Sequence, residues 1–547
     1  MRHTLLSAFL IAVLGAAGGC EGLIDQPGDD VNGDDDPSPE DPLEAPRFPR
    51  LTHTQWENTV QDLFYLTAPL GYADTFQQDP PLGRFDNNVA RLTVTSGHWS
   101  DYQRAAELVA EAVTEDSAIL ASILPADTDP RAFIEQFGRR ALRRPLSTDE
   151  IDRYAALFAD GASHFPELAD SYLAGVRLTI EAMLQSPHFL YRVEASSEPV
   201  DQVIPLTGYE MASRMSYAFW NTMPDDALLS AAEDGELDTA AGVREWAERM
   251  FDDPRTVAQF QHFHFQAFEM LDYADMDKDT DLFPMWRREI GAMMQTEANL
   301  FLADVVATGG SIGDFLTSNR AFVNDELAWI YGIEGDFTAE FVPVDLDPSE
   351  RAGFLTRVGF LARNATGAVP DPIHRGVFVN LNLICRPISA VPNIPDNLMP
   401  VGDTNRERIN SITGPGTCGE TCHGTIINPI GFALENYDAI GQYRTQDNGF
   451  PVDAASTYEF EDGRTISFDN GIELSQALAD APEVHECYVQ QMFEYIYGRD
   501  LTDADLPAVE KFASESVTEG LAVRDIAVRV VSSNAFRYRP VSEGVSP

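Results

Sequence analysis

The chain has little cysteine and few basic residues for its length. Five of its 547 residues are cysteines, and 37 Lys and Arg stand against 88 Asp and Glu, which gives a net charge of −51. Such a charge argues against binding to nucleic acid or to an anionic membrane surface, because both would repel the protein. We interpret the acidity as a solubility adaptation. Beyond the N-terminus, no stretch reaches the roughly eighteen apolar residues that a transmembrane helix needs.

The N-terminus has the pattern of an export signal. Arg2 and His3 precede a mostly apolar run over residues 5–17, and small residues then lead to Cys20. The run is too short to cross a bilayer as a helix, so it predicts a signal peptide over residues 1–19. A cysteine at the cleavage point resembles a lipobox, which would make Cys20 the lipidated first residue of the mature protein. The alternative is an ordinary cleavable signal followed by a chance cysteine.

An acidic stretch follows the predicted lipidation site. Residues 21–44 contain ten acidic residues and no basic one, with Gly and Pro throughout. Such a stretch cannot bury enough apolar surface to fold, so residues 20–45 are predicted to be an extended linker. The expected location is therefore outside the cytoplasm, with a lipid anchor in the cell envelope. Glu21 after the cysteine favours the outer membrane, facing the periplasm or the cell surface.

Helical patterns dominate the remaining body, which predicts a mainly α fold built from several modules. Apolar residues recur at three- and four-residue steps, as on one face of a helix. The clearest examples are residues 102–113, with Ser100 available as a cap, and residues 173–184, 293–305 and 526–531. Only short stretches, such as 341–344 and 464–468, have the pattern of strands.

The body also contains a faint internal duplication. Residues 144–151 and 499–506 both begin with Arg and place a Ser or Thr before acidic residues, as at the start of a capped helix. Residues 186–192 and 533–539 both read Ser-x-x-Phe-x-Tyr-Arg. We interpret these segments as two related helical modules, one near each end of the body. Chance similarity between amphipathic helices is the alternative.

The segment with the most specific chemistry is Cys418-Gly-Glu-Thr-Cys422-His423. Cys-x-x-Cys-His attaches c-type haem: two thiols add to the vinyl groups and the histidine ligates the iron. Here three residues separate the cysteines, yet positions i and i+4 share one face of a helix. The first interpretation is therefore covalent haem c, with His423 as proximal ligand and Cys385 paired with Cys487.

Two other interpretations of these cysteines stay open. Cys385, Cys418, Cys422 and Cys487 are even in number and could form a disulfide framework, for which three pairings exist. A zinc or other metal site with Cys and His ligands is the third interpretation, although thiolates are poorly protected in an oxidising compartment.

Other polar residues give weaker signals. Met399, His485 and Met492 are candidates for a sixth iron ligand by side-chain type alone, and a five-coordinate haem is equally compatible. The segment 428–444 is either a wall against a ligand or a turn and short helix held by an Arg–carboxylate pair. His262 and His264 should diverge, because their flanking sequence is helical. No catalytic residues are identified.

These segments resemble a known family. It comprises the predicted secreted, cytochrome-like proteins of planctomycetes and myxobacteria, which combine five domains of unknown function: DUF1587, DUF1595, DUF1592, DUF1588 and DUF1585. In chain order, the resemblance is carried by residues 50–63, 137–146, 184–192 with 214–220, 351–356 with 374–376 and 422–444, and 497–499 with 533–536. The corresponding domain boundaries are 46–125, 126–195, 203–335, 348–447 and 470–541.

The resemblance implies export and haem c as cofactor. The expected fold is therefore a mainly α body with a cytochrome c-like segment in its C-terminal third. It implies no established reaction and no catalytic residues. The expected function is electron transfer, with a redox partner protein, or a haem-dependent oxidation. The alternative is a disulfide-stapled binding or scaffold protein of the cell envelope. This chain departs from the family pattern by the extra residue between Cys418 and Cys422.

Lipidation of Cys20 can be tested by fractionation. The wild-type protein is expected to partition into the detergent phase, because an acyl-modified cysteine adds apolar surface that the acidic body lacks. Cys20→Ser is expected to move the protein to the aqueous phase, whereas Cys385→Ser should leave partitioning unchanged. Equal partitioning of the wild type and Cys20→Ser would contradict the lipid anchor.

Overall fold

The computed structural model describes residues 48–80, 83–200, 203–388, 399–417 and 419–540. Within these ranges the chain is mainly α-helical with short antiparallel strand pairs, which confirms the predicted fold class. The predicted signal peptide, Cys20, the acidic linker and Cys418 lie outside the described residues. No helix in the described part is long and apolar enough to cross a membrane.

The first eight helices pack around one hydrophobic core. Its almost fully buried members include Trp56, Val109, Phe133 and Phe189. The longest helices, α2 and α7, pack against each other. The helices are α1 (His53–Leu63), α2 (Ser96–Glu115), α3 (Ser117–Ile123), α4 (Pro130–Ala141), α5 (Thr148–Ala159), α6 (Gly161–His164), α7 (Ser171–Leu184) and α8 (Pro187–Leu190).

The other described helices surround a second, larger core that includes Phe219, Phe263, Met294, Phe360 and Phe493. They are α9 (Gly208–Phe219), α10 (Asp226–Glu233), α11 (Ala240–Phe251), α12 (Pro254–Ala267), α13 (Arg288–Ala307), α14 (Asp314–Thr317), α15 (Asp325–Tyr331), α16 (Val358–Arg363), α17 (Pro372–Phe378), α18 (Asn405–Thr413), α19 (Asn428–Phe432), α20 (Gly471–Ala479), α21 (Pro482–Tyr497), α22 (Leu506–Glu519), α23 (Val523–Ser532) and α24 (Asn534–Arg537).

Shorter helical turns and four strand pairs complete the described structure. The 3₁₀ turns are Ala73–Thr75, Val89–Arg91, Glu236–Asp238, Tyr273–Asp275 and Phe354–Thr356, and the π-helical turns are Val379–Leu383 and Glu420–Ile427. The antiparallel pairs are β1 (Val203–Pro205) with β8 (Tyr538–Pro540), β2 (Arg320–Val323) with β3 (Val342–Asp345), β4 (Gln446–Asp447) with β5 (Phe450–Pro451), and β6 (Ser456–Glu459) with β7 (Thr465–Phe468).

The two cores meet at residues 85–89. Phe85 packs into the second core, whereas Phe76 and Val94, on either side of it in the chain, pack in the first. The Asn87 side chain donates a hydrogen bond to the carbonyl of Tyr495 at 2.7 Å, and the Val89 N–H donates to Gly498 O at 2.8 Å. The N-terminal helices are therefore fixed to the end of α21.

Helix starts follow the capping chemistry of the sequence. Ser147 and Thr207 are N-caps whose hydroxyls accept from the backbone N–H three residues later. At α2 the prediction was wrong: the cap is Thr95, and the helix begins at Ser96. Ser100 lies inside the first turns and donates its hydroxyl to Ser96 O at 3.1 Å. A hydroxyl further along the helix cannot cap it, because the free N–H groups belong to the first turn.

The internal duplication recurs in side-chain contacts. Arg144 donates two hydrogen bonds to Glu150, at 2.9 and 2.8 Å, across the start of α5. Arg499 donates two to Asp505, at 2.7 and 3.0 Å, across the start of α22. The same bidentate pair with the same six-residue spacing in both places supports two related modules.

Buried arginines hold the irregular segments in place. Arginine supplies nearly all of the 37 Lys and Arg residues, since only Lys278 and Lys511 are lysines. Arg375 on α17 is completely buried, and its five N–H donors all meet backbone carbonyls, at 2.7–3.2 Å. These carbonyls belong to Leu361, Asn364, Leu434, Tyr437 and Asp438. A guanidinium has five donors, so none is left without a partner.

A disulfide fixes α21 to the segment that follows α17. Cys385 and Cys487 are bonded across a sequence separation of 102 residues. This confirms the pairing expected under the haem interpretation. Of the other two cysteines whose pairing was open, Cys422 is free and Cys418 lies outside the described residues.

Removal of Arg375 is expected to destabilise the fold strongly. Arg375→Met removes five hydrogen bonds to carbonyls, of which those of Leu434 and Asp438 keep a backbone N–H donor. Hydrogen bonds to charged groups contribute about 1.5–3 kcal/mol each, so we expect a loss of about 3 kcal/mol or more. The measurement is the urea midpoint. Arg131→Ala is the control, because Arg131 pairs with Asp152 at an exposed site and should leave the midpoint unchanged. Equal midpoints for the two variants would contradict the role of Arg375.

Loss of the disulfide should lower stability without changing the fold. The chain-entropy model gives about 4.7 kcal/mol for closing a loop of roughly 100 residues, which is an upper expectation for Cys385→Ser/Cys487→Ser. Thermal unfolding with and without reductant measures the stability that the disulfide contributes. Reductant should lower the wild-type midpoint and leave the double variant unchanged. A wild type insensitive to complete reduction would contradict the prediction.

Candidate functional site

The Cys-His motif lies on a wide helical turn at the surface of the second core. Cys422 and His423 belong to the π-helical turn Glu420–Ile427, here called the motif turn, which continues directly into α19. The His423 N–H donates to Gly419 O at 2.8 Å. Cys418, the other cysteine of the motif, lies outside the described residues.

The thiol and the imidazole of the motif turn are both half-buried. The Cys422 thiol is free. The Nδ1 atom of His423 is buried and has no hydrogen-bond partner. Desolvation lowers the pKa of His423 below its ordinary value, so the ring is neutral at pH 7. A neutral imidazole retains the lone pair that a metal ion requires.

Close backbone packing fixes the motif turn against α17. A Cβ added at Gly376 on α17 would lie 2.2 Å from Ile427 O at the end of the turn. A Cβ added at Gly431 on α19 would lie 1.9 Å from Pro372 O at the start of α17. Asn380 adds a side-chain hydrogen bond to Ile426 O at 3.2 Å. The motif turn therefore has a rigid support on its buried side.

The segment after the motif is held by its own ion pairs. Arg444 donates to Glu435 at 2.8 Å and to Asp447 at 2.9 Å. Glu435 is buried and also accepts from the Asn405 side chain at 2.9 Å. Of the two interpretations of residues 428–444, these contacts favour a turn and short helix held by an Arg–carboxylate pair.

The three candidates for a sixth iron ligand differ in burial and in hydrogen bonding. His485 on α21 is buried, and its ring nitrogens lie 2.8 Å from Ser516 Oγ and 2.9 Å from Ala479 O, so both are engaged. Met492 on α21 is in the second core. Met399 is 81% exposed, six residues before the start of α18. Of these three, Met399 alone has a side chain that is free to move.

The histidines of α12 do not form a metal pair. His262 hydrogen-bonds to Asp86 at 2.8 Å, whereas His264 points into the core and contacts Phe260 O and the Tyr488 hydroxyl, both at 2.7 Å. Their divergence on the helix confirms the expectation from their spacing.

Sequence reasoning missed one cluster in the N-terminal core. His53 Nε2 lies 3.6 Å from Asp79 Oδ2, and His98 Nε2 lies 3.6 Å from Asp79 Oδ1. His53 is the first residue of α1 and His98 is in the first turn of α2. Burial lowers the pKa of His53 to about 4. The three residues lie too far apart in sequence for a motif search to connect them.

Comparisons with known proteins give five matches to family models, all described as proteins of unknown function. They cover residues 49–115 (DUF1587), 130–194 (DUF1595), 206–333 (DUF1592), 351–447 (DUF1588) and 464–536 (DUF1585). No curated protein and no solved structure matches the chain. The five domains occur in the order expected from the sequence motifs, and the motif turn lies in the DUF1588 match. The chain belongs to the family of proteins that combine these five domains of unknown function.

Proposed function

We propose that the protein is an extracytoplasmic, lipid-anchored, c-type cytochrome-like protein. Cys418 and Cys422 would hold haem c, and His423 would be the proximal iron ligand. One observation carries the proposal: Cys422 keeps a free thiol beside a neutral, half-buried imidazole, while Cys385 and Cys487 are bonded to each other. The cysteines left over are thus those of the motif.

The residues present fit covalent haem. The Cys422 thiol is partly exposed, so a vinyl group can reach it, and His423 follows it on the same turn. The ring is already in the neutral form that ligates iron. Its buried Nδ1 atom makes no hydrogen bond that would have to be broken before the ring ligates an iron. Met399 and Val401, just before α18, are apolar side chains that are 81% and 71% exposed.

Each part of the site would have a distinct task. Haem c supplies an iron that changes between its ferrous and ferric states and so carries one electron. The two cysteines would fix the macrocycle through thioether bonds, and His423 would hold the iron from one side. Close packing at Gly376 and Gly431 keeps the turn in place, so the ligand geometry does not depend on a mobile loop.

The wider context supports the same proposal. The model that matches residues 351–447 has the short name PSCyt3, which points to cytochrome-like proteins. Export with a lipid on Cys20 would place the motif where haem c is attached and would tether the protein to a membrane. Electron transfer to a redox partner protein, or a haem-dependent oxidation, follows from such a cofactor. A net charge of −51 favours a partner with a basic surface.

A disulfide-stapled envelope scaffold without haem is the second candidate. The Cys385–Cys487 bond favours it, because one disulfide of the predicted framework is present. In this case Cys418 and Cys422 would form a second disulfide. The three-residue spacing between them would then serve that disulfide and not haem attachment. The two candidate functions differ in one observable property: the cytochrome-like protein carries haem on the motif cysteines, and the scaffold does not.

Visible absorption of protein made with a haem-ligation system tests the proposal. The reduced and oxidised spectra and a pyridine haemochrome assay should show covalent haem. Cys418→Ser/Cys422→Ser should abolish it, because no thiol remains to form a thioether. His423→Ala should keep the covalent haem and shift its spectrum. Cys385→Ser/Cys487→Ser is the matched control and should retain haem. A colourless wild-type protein, made in cells where a control cytochrome matures, would contradict the proposal and favour the scaffold.

A further inference from the structure

We propose that His53, Asp79 and His98 bind one divalent metal ion of the zinc class. The three donor atoms lie within 4.8 Å of one another, and no other His, Cys, Asp or Glu group of this kind occurs among the described residues. The site lies in the N-terminal core, in a different part of the chain from the motif turn, so the inference does not rest on the proposed haem.

The donor set and its spacing suit zinc. Two imidazoles and one carboxylate are common zinc ligands, at bond lengths of about 2.0–2.2 Å. In a tetrahedral site, such bonds put neighbouring ligand atoms roughly 3.3–3.5 Å apart. His53 Nε2 lies 3.6 Å from Asp79 Oδ2, which is almost this separation, and His98 Nε2 lies 3.6 Å from the other carboxylate oxygen, Oδ1. The His98 ring would need to move closer to the other two ligand atoms, all three of which lie within 4.8 Å of one another.

Asp79 is oriented to serve as a ligand. Its Oδ1 accepts a hydrogen bond from the buried guanidinium of Arg50, which also donates to Leu51 O and Leu92 O. Its Oδ2 faces His53. Outer partners that hold a ligating carboxylate in this way are typical of metal sites. Arg50 would therefore fix the carboxylate through one oxygen while the other oxygen binds the ion.

His53 has a free nitrogen aimed at the same point. Its Nε2 is buried and makes no hydrogen bond. Buried polar atoms are normally paired, so an unpaired one requires an explanation, such as an ion. Its position at the start of α1 also disfavours a charged imidazolium, because the helix dipole is positive there. The neutral ring with a free lone pair is the form that binds metal.

His98 needs a change of tautomer to take part. Its Nδ1 lies 3.3 Å from both the N–H and the hydroxyl of Thr95, and its Nε2 lies 2.9 Å from Gln77 O. Without an ion, Nε2–H donates to that carbonyl. With an ion on Nε2, the proton would move to Nδ1, which would give up the hydrogen bond that it accepts from the Thr95 N–H and would donate to the Thr95 hydroxyl instead.

The site would have room for a further ligand. The side chains of His53 and Asp79 are 16% and 11% exposed, so the cluster reaches solvent at one edge. Three protein ligands with an open position are the arrangement of catalytic zinc sites, whereas structural sites have four. The proposed ion would therefore bind water or a small anion as its fourth ligand.

Zinc binding to the full chain tests the proposal. The background is Cys418→Ser/Cys422→Ser/His423→Ala, which removes the motif turn as a competing metal site and keeps haem out. After chelator treatment, equilibrium dialysis against Zn²⁺ and elemental analysis should give one ion per chain. Adding His53→Gln should weaken binding by more than about 100-fold, beyond the tenfold to 100-fold typical for loss of an outer partner.

His164→Gln is the matched control, because His164 is an exposed histidine of the same helical region. It should bind zinc like the background protein. His53 Nε2 makes no hydrogen bond, so His53→Gln should keep the thermal midpoint of the metal-free protein and lose the rise that Zn²⁺ causes. Failure of the background protein to retain zinc, or unchanged binding in His53→Gln, would overturn the proposal. Neither result depends on whether haem is attached to the wild type.

Discussion

The five N–H donors of Arg375 meet five backbone carbonyls, and those carbonyls lie on two separate stretches of chain, residues 361–364 and 434–438. The first stretch ends α16, and the second follows α19. Irregular backbone buried between helices has carbonyls that no helix or strand satisfies, and each unpaired carbonyl would cost stability. Burial lowers the pKa of Arg375 to about 10, which leaves it charged at pH 7.

The motif turn depends on this arrangement. Arg375 and Gly376 are neighbours on α17: the first holds the chain after α19, and the second lets the backbone of the motif turn pack directly on the helix. The disulfide between Cys385 and Cys487 then ties the chain beyond α17 to α21. Cys422 and His423 thus lie, half-buried, on the outer side of a turn whose inner side packs rigidly on α17. A covalent cofactor requires such a support, because small displacements of an axial ligand alter its bond to iron.

Much of the fold could be predicted from the sequence, since amphipathic periodicity marks helices that pack on a core. The helices around residues 102–113, 173–184, 293–305 and 526–531 are all present, and the short strands near 342 and 465 are as well. The cap of α2 was misplaced, because Ser100 and Thr95 are both plausible caps and only the backbone path decides between them. The choice among disulfide pairings needed the approach of α21 to Cys385, which no local pattern encodes. The His53, Asp79 and His98 cluster was missed for the same reason, because tertiary packing brings its members together.

Peptide mass spectrometry of the protein purified from its native cells tests most directly whether the two motif cysteines hold a haem. The account predicts that the peptide containing Cys418, Cys422 and His423 carries the added mass of one haem, and that the Cys385 and Cys487 peptides are joined only until reduction. A motif peptide with the mass of an internal disulfide or of two free thiols, from cells that mature other c-type cytochromes, would contradict it.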